Sequence, residues 1–245
     1  MAVIFNGIDL STYGLVTPKV TGVHDLSPQD RARAWIPGRD LPADVALRRQ
    51  LVTMSLGCVL YSPSGHAGLV SLLQVLKRLT SPELGFVSLG ITDRPSQRTF
   101  ARSLGFSIGI DQLPFDTDVV EFEWRLERYP YWEDDSETEA VDPTSINNSG
   151  DLPAFPVYTC DALADLIGGL YFEVGSKRFT WEDDLNNGDT LVVETDLPTV
   201  TLNGETNFAG VASDSEFPEL VVGTNAVTKS SEDFTLTVSY RKRYE

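Results

Sequence analysis

The sequence predicts a mainly β protein: an N-terminal β-sandwich-like domain with one α-helix, followed by a C-terminal β-sandwich of jelly-roll type. Three observations carry this. Apolar residues recur at every second position in segment after segment, and only one stretch has helical spacing. Residues 151–245 are broken by regularly spaced Asn, Gly and Asp turn signals. The charge balance changes abruptly after Trp132.

The elements follow in order. In residues 50–61, Val52, Met54, Leu56, Cys58 and Leu60 share one face, opposite Thr53, Ser55 and Gly57, as in a long sheet strand. Residues 65–80 change period. Leu69, Leu72, Leu73, Leu76 and Leu79 fall at helical spacing, Lys77 and Arg78 suit the negative end of the helix dipole, and Pro82 stops it. Residues 86–92 and 99–110 read as strands joined by an Asp93-Arg94-Pro95-Ser96 turn. Residues 118–128 alternate most cleanly. Val120, Phe122, Trp124 and Leu126 face one way; Glu121, Glu123, Arg125 and Glu127 face the other.

Beyond residue 151 short strands dominate: 170–174 and 178–181 around Gly175-Ser176, 190–195, and a last strand with Phe234, Leu236, Val238 and Tyr240 on one face. Asn187-Gly188 and Asn203-Gly204 suit hairpin turns that need positive φ, and Gly223-Thr224-Asn225 marks a further turn. Many strands with regular turns indicate a sandwich or jelly roll.

Residues 1–132 carry 13 Lys+Arg and 13 Asp+Glu, whereas residues 133–245 carry 6 and 23, so the whole net charge of −17 falls on the second part. Such a surface repels phosphate backbones and keeps copies apart, while the balanced first part meets no such barrier to self-association. Residues 133–150, EDDSETEAVDPTSINNSG, are acidic with little apolar periodicity and read as a linker. The domains are therefore expected at 1–132 and 151–245, joined by an acidic linker at 133–150. No apolar run is long enough to span a membrane, and residues 1–10 do not read as a signal peptide. Cys58 and Cys160 sit among apolar or small neighbours and read as buried thiols, consistent with assembly in a reducing cytosol.

The search for chemistry points away from catalysis. His24 and His66 are the sole histidines, and Gly85-Phe86-Val87-Ser88-Leu89-Gly90 lacks nucleophile-elbow spacing. Walker and dinucleotide glycine motifs are absent, so no cofactor is expected. Asp183 to Glu194 resembles a calcium loop in length, yet Leu185 occupies a ligand position and the flanks read as strands, so no metal is expected. Carboxylate pairs are plentiful but none stands out. Weak candidates for a glycan platform are Tyr158, Tyr171, Phe172 and Trp181, although strand aromatics more often belong to a core.

The order of several segments resembles the distal tail protein of long-tailed, non-contractile bacteriophages. These are Phe5-Asn6-Gly7-Ile8-Asp9-Leu10-Ser11 with Tyr13-Gly14-Leu15-Val16, and the strand ending in Arg128-Tyr129-Pro130-Tyr131-Trp132. They continue with Asn148-Ser149-Gly150-Asp151-Leu152-Pro153-Ala154-Phe155-Pro156, Asn187-Gly188-Asp189-Thr190-Leu191, Phe217-Pro218-Glu219-Leu220 with Gly223-Thr224-Asn225, and a final strand ending in Tyr240-Arg241. The segment Ala162–Gly169 departs from that pattern, being more apolar and glycine-rich.

The resemblance implies a structural virion protein, not an enzyme. It implies a homohexameric ring built by residues 1–132 at the tail's distal end, joining the tail tube to the tail-tip hub protein. DNA passes through the ring's channel without sequence-specific binding, and nothing inserts into a membrane. The second domain would be a galectin-like sandwich, serving as a mount for receptor-binding parts or as a carbohydrate-binding module. The chain would act in the virion after assembly in the host bacterial cytoplasm.

Overall fold

The computed structural model describes residues 2–23, 29–34, 43–49, 51–109, 113 and 116–245, with residues 29–34 and 43–49 described by their backbone. His24 lies outside the described residues. The chain divides into two compact units, Met1–Trp132 with Glu245, and Glu133–Tyr244.

The first unit contains β1 (Val3–Phe5), β2 (Ile8–Asp9), β3 (Leu15–Thr21), β4 (Gln29–Ala34), β5 (Ala43–Arg49), β6 (Val52–Tyr61), α1 (Gly65–Leu79), β7 (Val87–Ile91), β8 (Gln97–Phe106) and β9 (Val119–Arg128). One antiparallel sheet runs in the order β2-β1-β7-β8-β9-β6-β3, while β4 and β5 form a separate hairpin. At the sheet's centre β6 and β9 pair along their full lengths, from Val52↔Arg128 to Tyr61↔Val119. That register brings their alternations into phase: Met54 faces Leu126, Leu56 faces Trp124, and Cys58 faces Phe122, all buried. A slip of one residue would turn every one of them to solvent.

The sheet is curled. The Phe5 and Trp124 ring centroids are 5.1 Å apart, although β7 and β8 separate their strands. A flat sheet would space those strands by about 14 Å. The curl gives a sandwich-like layer with one interior, into which α1 presents Leu69, Leu73 and Leu76. The helix keeps Lys77 and Arg78 in its last turn and ends where the Thr80 hydroxyl donates to the Leu76 carbonyl at 2.8 Å.

The chain's tyrosine-rich segment before the second unit is held by polar contacts. Arg128 is buried, and its guanidinium donates to the Gly22, Val23 and Tyr129 carbonyls at 2.8–3.2 Å. The Trp132 indole donates to Val23 O at 3.2 Å and lies 5.2 and 5.5 Å from the Arg94 and Arg128 guanidinium carbons.

The second unit contains β10 (Trp132–Asp134), β11 (Thr138–Val141), β12 (Ser145–Asn148), β13 (Val157–Ala162), β14 (Leu170–Val174), β15 (Lys177–Trp181), β16 (Thr190–Glu194), β17 (Thr199–Leu202), β18 (Glu205–Thr206), β19 (Gly223–Lys229), β20 (Phe234–Tyr240) and β21 (Arg243–Tyr244). A six-stranded sheet, β11-β20-β13-β16-β17-β18, faces a four-stranded sheet, β12-β19-β14-β15, and β10 pairs with β21. Inward residues from both sheets, among them Tyr158, Phe172, Phe179, Trp181, Leu191, Phe234 and Leu236, make one core. This is the jelly-roll-type sandwich expected.

Two expectations are corrected. Residues 133–150 are not a linker but sheet edges: β11 pairs with β20, and β12 pairs with β19. An edge strand needs one ladder of backbone bonds and a single inward residue, here Ile146, so a polar sequence suffices. Glu137 and Glu139 stay exposed. The Asp142 carboxylate is not merely solvated either. It accepts the Leu236 N–H and a Lys229 Nζ–H, each at 2.9 Å. Second, Asn187-Gly188 closes no hairpin, because β15 and β16 belong to different sheets. Asn203-Gly204 does, with φ of 52° and 83° between β17 and β18.

Candidate interaction surfaces

The proposed aromatic platform does not assemble. Tyr158, Phe172 and Trp181 are completely buried. Tyr158 stacks 4.6 Å from Phe172 and donates its hydroxyl to Pro218 O at 3.0 Å. Tyr171 alone is half-buried, and Arg178 lies 4.2 Å over its ring. The alternation explains this: on β14, Tyr171 faces outward between Leu170 and Phe172, which face the core.

Both thiols are buried and free. Burial pushes the Cys58 thiol up to about 12 and raises that of Cys160. Each unit thus holds one inert thiol. His66 sits in the first turn of α1. Leu185, the misfit in the calcium-like segment, is a core residue, and Asp189 anchors loops by accepting from Asn186 N–H and Asn203 Nδ2. Those donors, Asn203 first, hold the Asp189 carboxyl below its ordinary range. An open groove on the first unit's outer sheet face is lined by Lys19, Gly57, Val59, Glu121 and Glu123. The Glu123 carboxyl there is held low by Ser55 and Arg125.

The second unit's most distinctive surface is one end of the sandwich. Three crossovers between its sheets, residues 163–169, 182–189 and 230–233, gather there, because Ala162 pairs with Phe234 and Asp161 with Thr190. They are tied together. Leu166 and Leu185 exchange two backbone hydrogen bonds, Gly168 N–H donates to Asp184 Oδ1 at 2.7 Å, and Leu163 N–H donates to Asp233 O at 2.7 Å. Gly169, at φ 79°, lies so close to the Trp181 carbonyl that a Cβ would approach it to 1.8 Å. This close approach requires glycine at 169, and a φ of 79° at Gly168 favours glycine there too. The pinned loops leave Leu163 and Ile167 exposed. Sequence reasoning missed this end, because an apolar run such as ALADLIGG gives no sign of which leucine turns inward.

The chain is mainly β, with a helix-bearing curled sheet and a jelly-roll sandwich, and among the described residues no cluster of three or more His, Cys, Asp or Glu gathers to hold a metal ion. Residues 149–244 match the family model described as siphovirus-type tail component, C-terminal domain. Residues 149–244 are thus similar to the C-terminal domain of siphovirus-type tail components, and the resemblance to the distal tail protein is supported. Among solved structures, the Dit protein (gp 19.1) of phage SPP1 is similar over 100% of this chain and 99% of its own, with a TM-score of 0.79 at 12% identity. It is described as a paradigm of the hub adsorption apparatus in phages that infect Gram-positive bacteria. A chain of the phage P2 baseplate in its activated conformation with calcium is similar over 98% of this chain and 97% of its own, with a TM-score of 0.51 at 7% identity. The strontium form of that baseplate matches equally. No curated protein matches the sequence.

Proposed function

We propose that this protein is a non-enzymatic, ring-forming component of a phage tail tip. Its first unit builds a homohexameric ring that joins the tail tube to the tail-tip hub protein, with DNA passing through the lumen without sequence-specific contacts. Its second unit projects from the ring and mounts host-attachment parts. The chain assembles in the host cytoplasm and acts in the virion.

The observation that carries this reading, beside the tail-component match, is the β4–β5 hairpin. It pairs with no other strand among the described residues. A two-stranded hairpin alone is marginally stable in water and needs a surface to pack on. A neighbouring copy of the charge-balanced first unit supplies such a surface without electrostatic cost. The acidic second unit, whose copies repel, fits the periphery. The alternative of direct glycan recognition is weakened by the burial of Tyr158 and Trp181.

Native mass spectrometry and negative-stain imaging of the full chain test the reading. Six-fold rings are expected, and replacing residues 29–49 by a short Gly/Ser bridge is expected to leave folded monomers. A wild-type chain that remains monomeric at high concentration would refute it.

A further inference from the structure

We propose that the end of the second unit formed by residues 163–169, 182–189 and 230–233 docks a protein partner that presents an apolar pocket rimmed by Lys and Arg. The proposal rests on the reading of the second unit as a mount and names the mounting face and its partner's chemistry.

The apolar anchor is Ile167, 80% exposed, with Leu163 of the same loop 58% exposed. Exposed aliphatic residues in isolation are ordinary. These two differ because their loop is rigid: it is fixed on both sides of Ile167 by the Leu166–Leu185 bridge and the Gly168–Asp184 bond. Rigid exposed anchors bind without a large ordering cost. The chain ends of this unit lie elsewhere: β20 runs from Phe234 at this end to Tyr240 at the other, where β21 and β10 meet. The docking end is thus the one remote from the unit's own connections.

Charge identifies the occupant. The three loops hold seven Asp and Glu and no Lys or Arg. Five of the second unit's six cations, Lys177, Arg178, Arg241, Lys242 and Arg243, lie toward the opposite end, next to the Gly175-Ser176 turn and after β20. The sixth, Lys229, is engaged by Asp142 and Glu232. Apolar anchors inside a rim of one sign match a pocket with a rim of the other. The same rim repels anionic lipid headgroups, nucleic acid and a second copy of this surface. A neutral glycan would leave the aliphatic anchors without a matching apolar pocket.

The test uses phage particles carrying the full chain with Ile167 replaced by photoreactive p-benzoylphenylalanine, and Ser176 replaced likewise as control. Irradiation is expected to link position 167 to one other virion protein, through a peptide rich in Lys or Arg, and to leave position 176 unlinked to it. Ile167→Glu is expected to lower that protein's share in particles roughly tenfold or more, as for a buried hot-spot residue. The pair Glu182→Lys and Asp183→Lys, both exposed in the unbound unit, is expected to do the same. Links to lipid, polysaccharide or another copy of this chain, or no link at all, overturn the proposal. So does retention of the partner in the charge-reversed particles. Immunogold labelling separates the two readings. If the chain is present at tail tips while position 167 links to nothing, the docking face alone fails. If the chain is absent from the tips, the tail reading falls and takes the docking face with it.

Discussion

The two units are both antiparallel β structures, yet they close their cores differently. The first curls a single sheet until β1 meets β9, as the Phe5–Trp124 contact shows, and plugs it with one helix. The second stacks two sheets whose inward residues share one core cluster. The charges differ as well: zero net charge over residues 1–132 and −17 over residues 133–245. The first unit has a β4–β5 hairpin that pairs with no other strand among the described residues, and no net charge to oppose the approach of a copy. In the second unit the surplus of like charge opposes the approach of further copies. The comparison teaches that two antiparallel β scaffolds in one chain can differ both in how they close a core and in how they carry charge.

The sharpest way to break this comparison is to unfold one unit without the other. Each unit contains one buried thiol, Cys58 or Cys160, so pulsed thiol labelling read by mass spectrometry reports each separately. Phe122→Asp places a carboxylate opposite Cys58 of β6 and beside the Phe106 ring and is expected to cost roughly 4 kcal/mol, the scale of an uncompensated buried charge. Cys58 becomes reactive while Cys160 stays protected; simultaneous exposure of both would show that the units do not unfold independently. Gly169→Ala is the counterpart in the second unit. A left-handed backbone and a collision with the Trp181 carbonyl are expected to cost roughly 3 kcal/mol and to expose Cys160 first.

A smaller effect tests the reassigned edge strands. The Leu236 N–H, and then Lys229, hold the Asp142 carboxyl below its ordinary range. A depressed carboxyl contributes stability that is present above its unfolded pKa and lost as pH falls through the folded value. Asp142→Asn is expected to cost about 1 kcal/mol at neutral pH and to flatten the acid limb of a stability–pH curve. An acid limb identical to wild type would show that β11 does not depend on this anchor. Least of all, Tyr171→Ala removes a half-buried, outward-facing ring under Arg178 and is expected to cost about 0.5–1 kcal/mol in urea unfolding. A loss several times larger would mean that Tyr171 is a core residue after all.

Much of the fold was legible before any coordinates. Wherever one face is buried, alternation named the inward residues: Val52 to Leu60 on β6, Val120 to Leu126 on β9, and Phe234 to Tyr240 on β20 are all buried as read. The helix was equally plain, because Leu69, Leu73 and Leu76 repeat on one side. Residues 133–150 misled because edge strands β11 and β12 are held by main-chain hydrogen bonds, which composition does not encode. The aromatic candidates misled for the opposite reason. Tyr158 and Trp181 have the residue types of a sugar platform, but side-chain direction on β13 and β15 sends them inward. The acidic end was half visible: the Asp and Glu could be counted, but not the crossovers that gather them.

By itself the sequence determined the strands around residues 52–61, 119–128 and 234–240, the α-helix over 65–79, and that the charge divides after Trp132, because period and charge are local properties of the chain. Only the tertiary structure decided that residues 133–150 complete two sheets, that Asn187-Gly188 joins layers where a hairpin had been expected, and that Ile167 stands out on a pinned loop. Those outcomes depend on pairings between residues distant in the chain. Their free energy comes from backbone groups and close approaches, such as Gly169 on the Trp181 carbonyl, that every sequence shares until the fold selects among them.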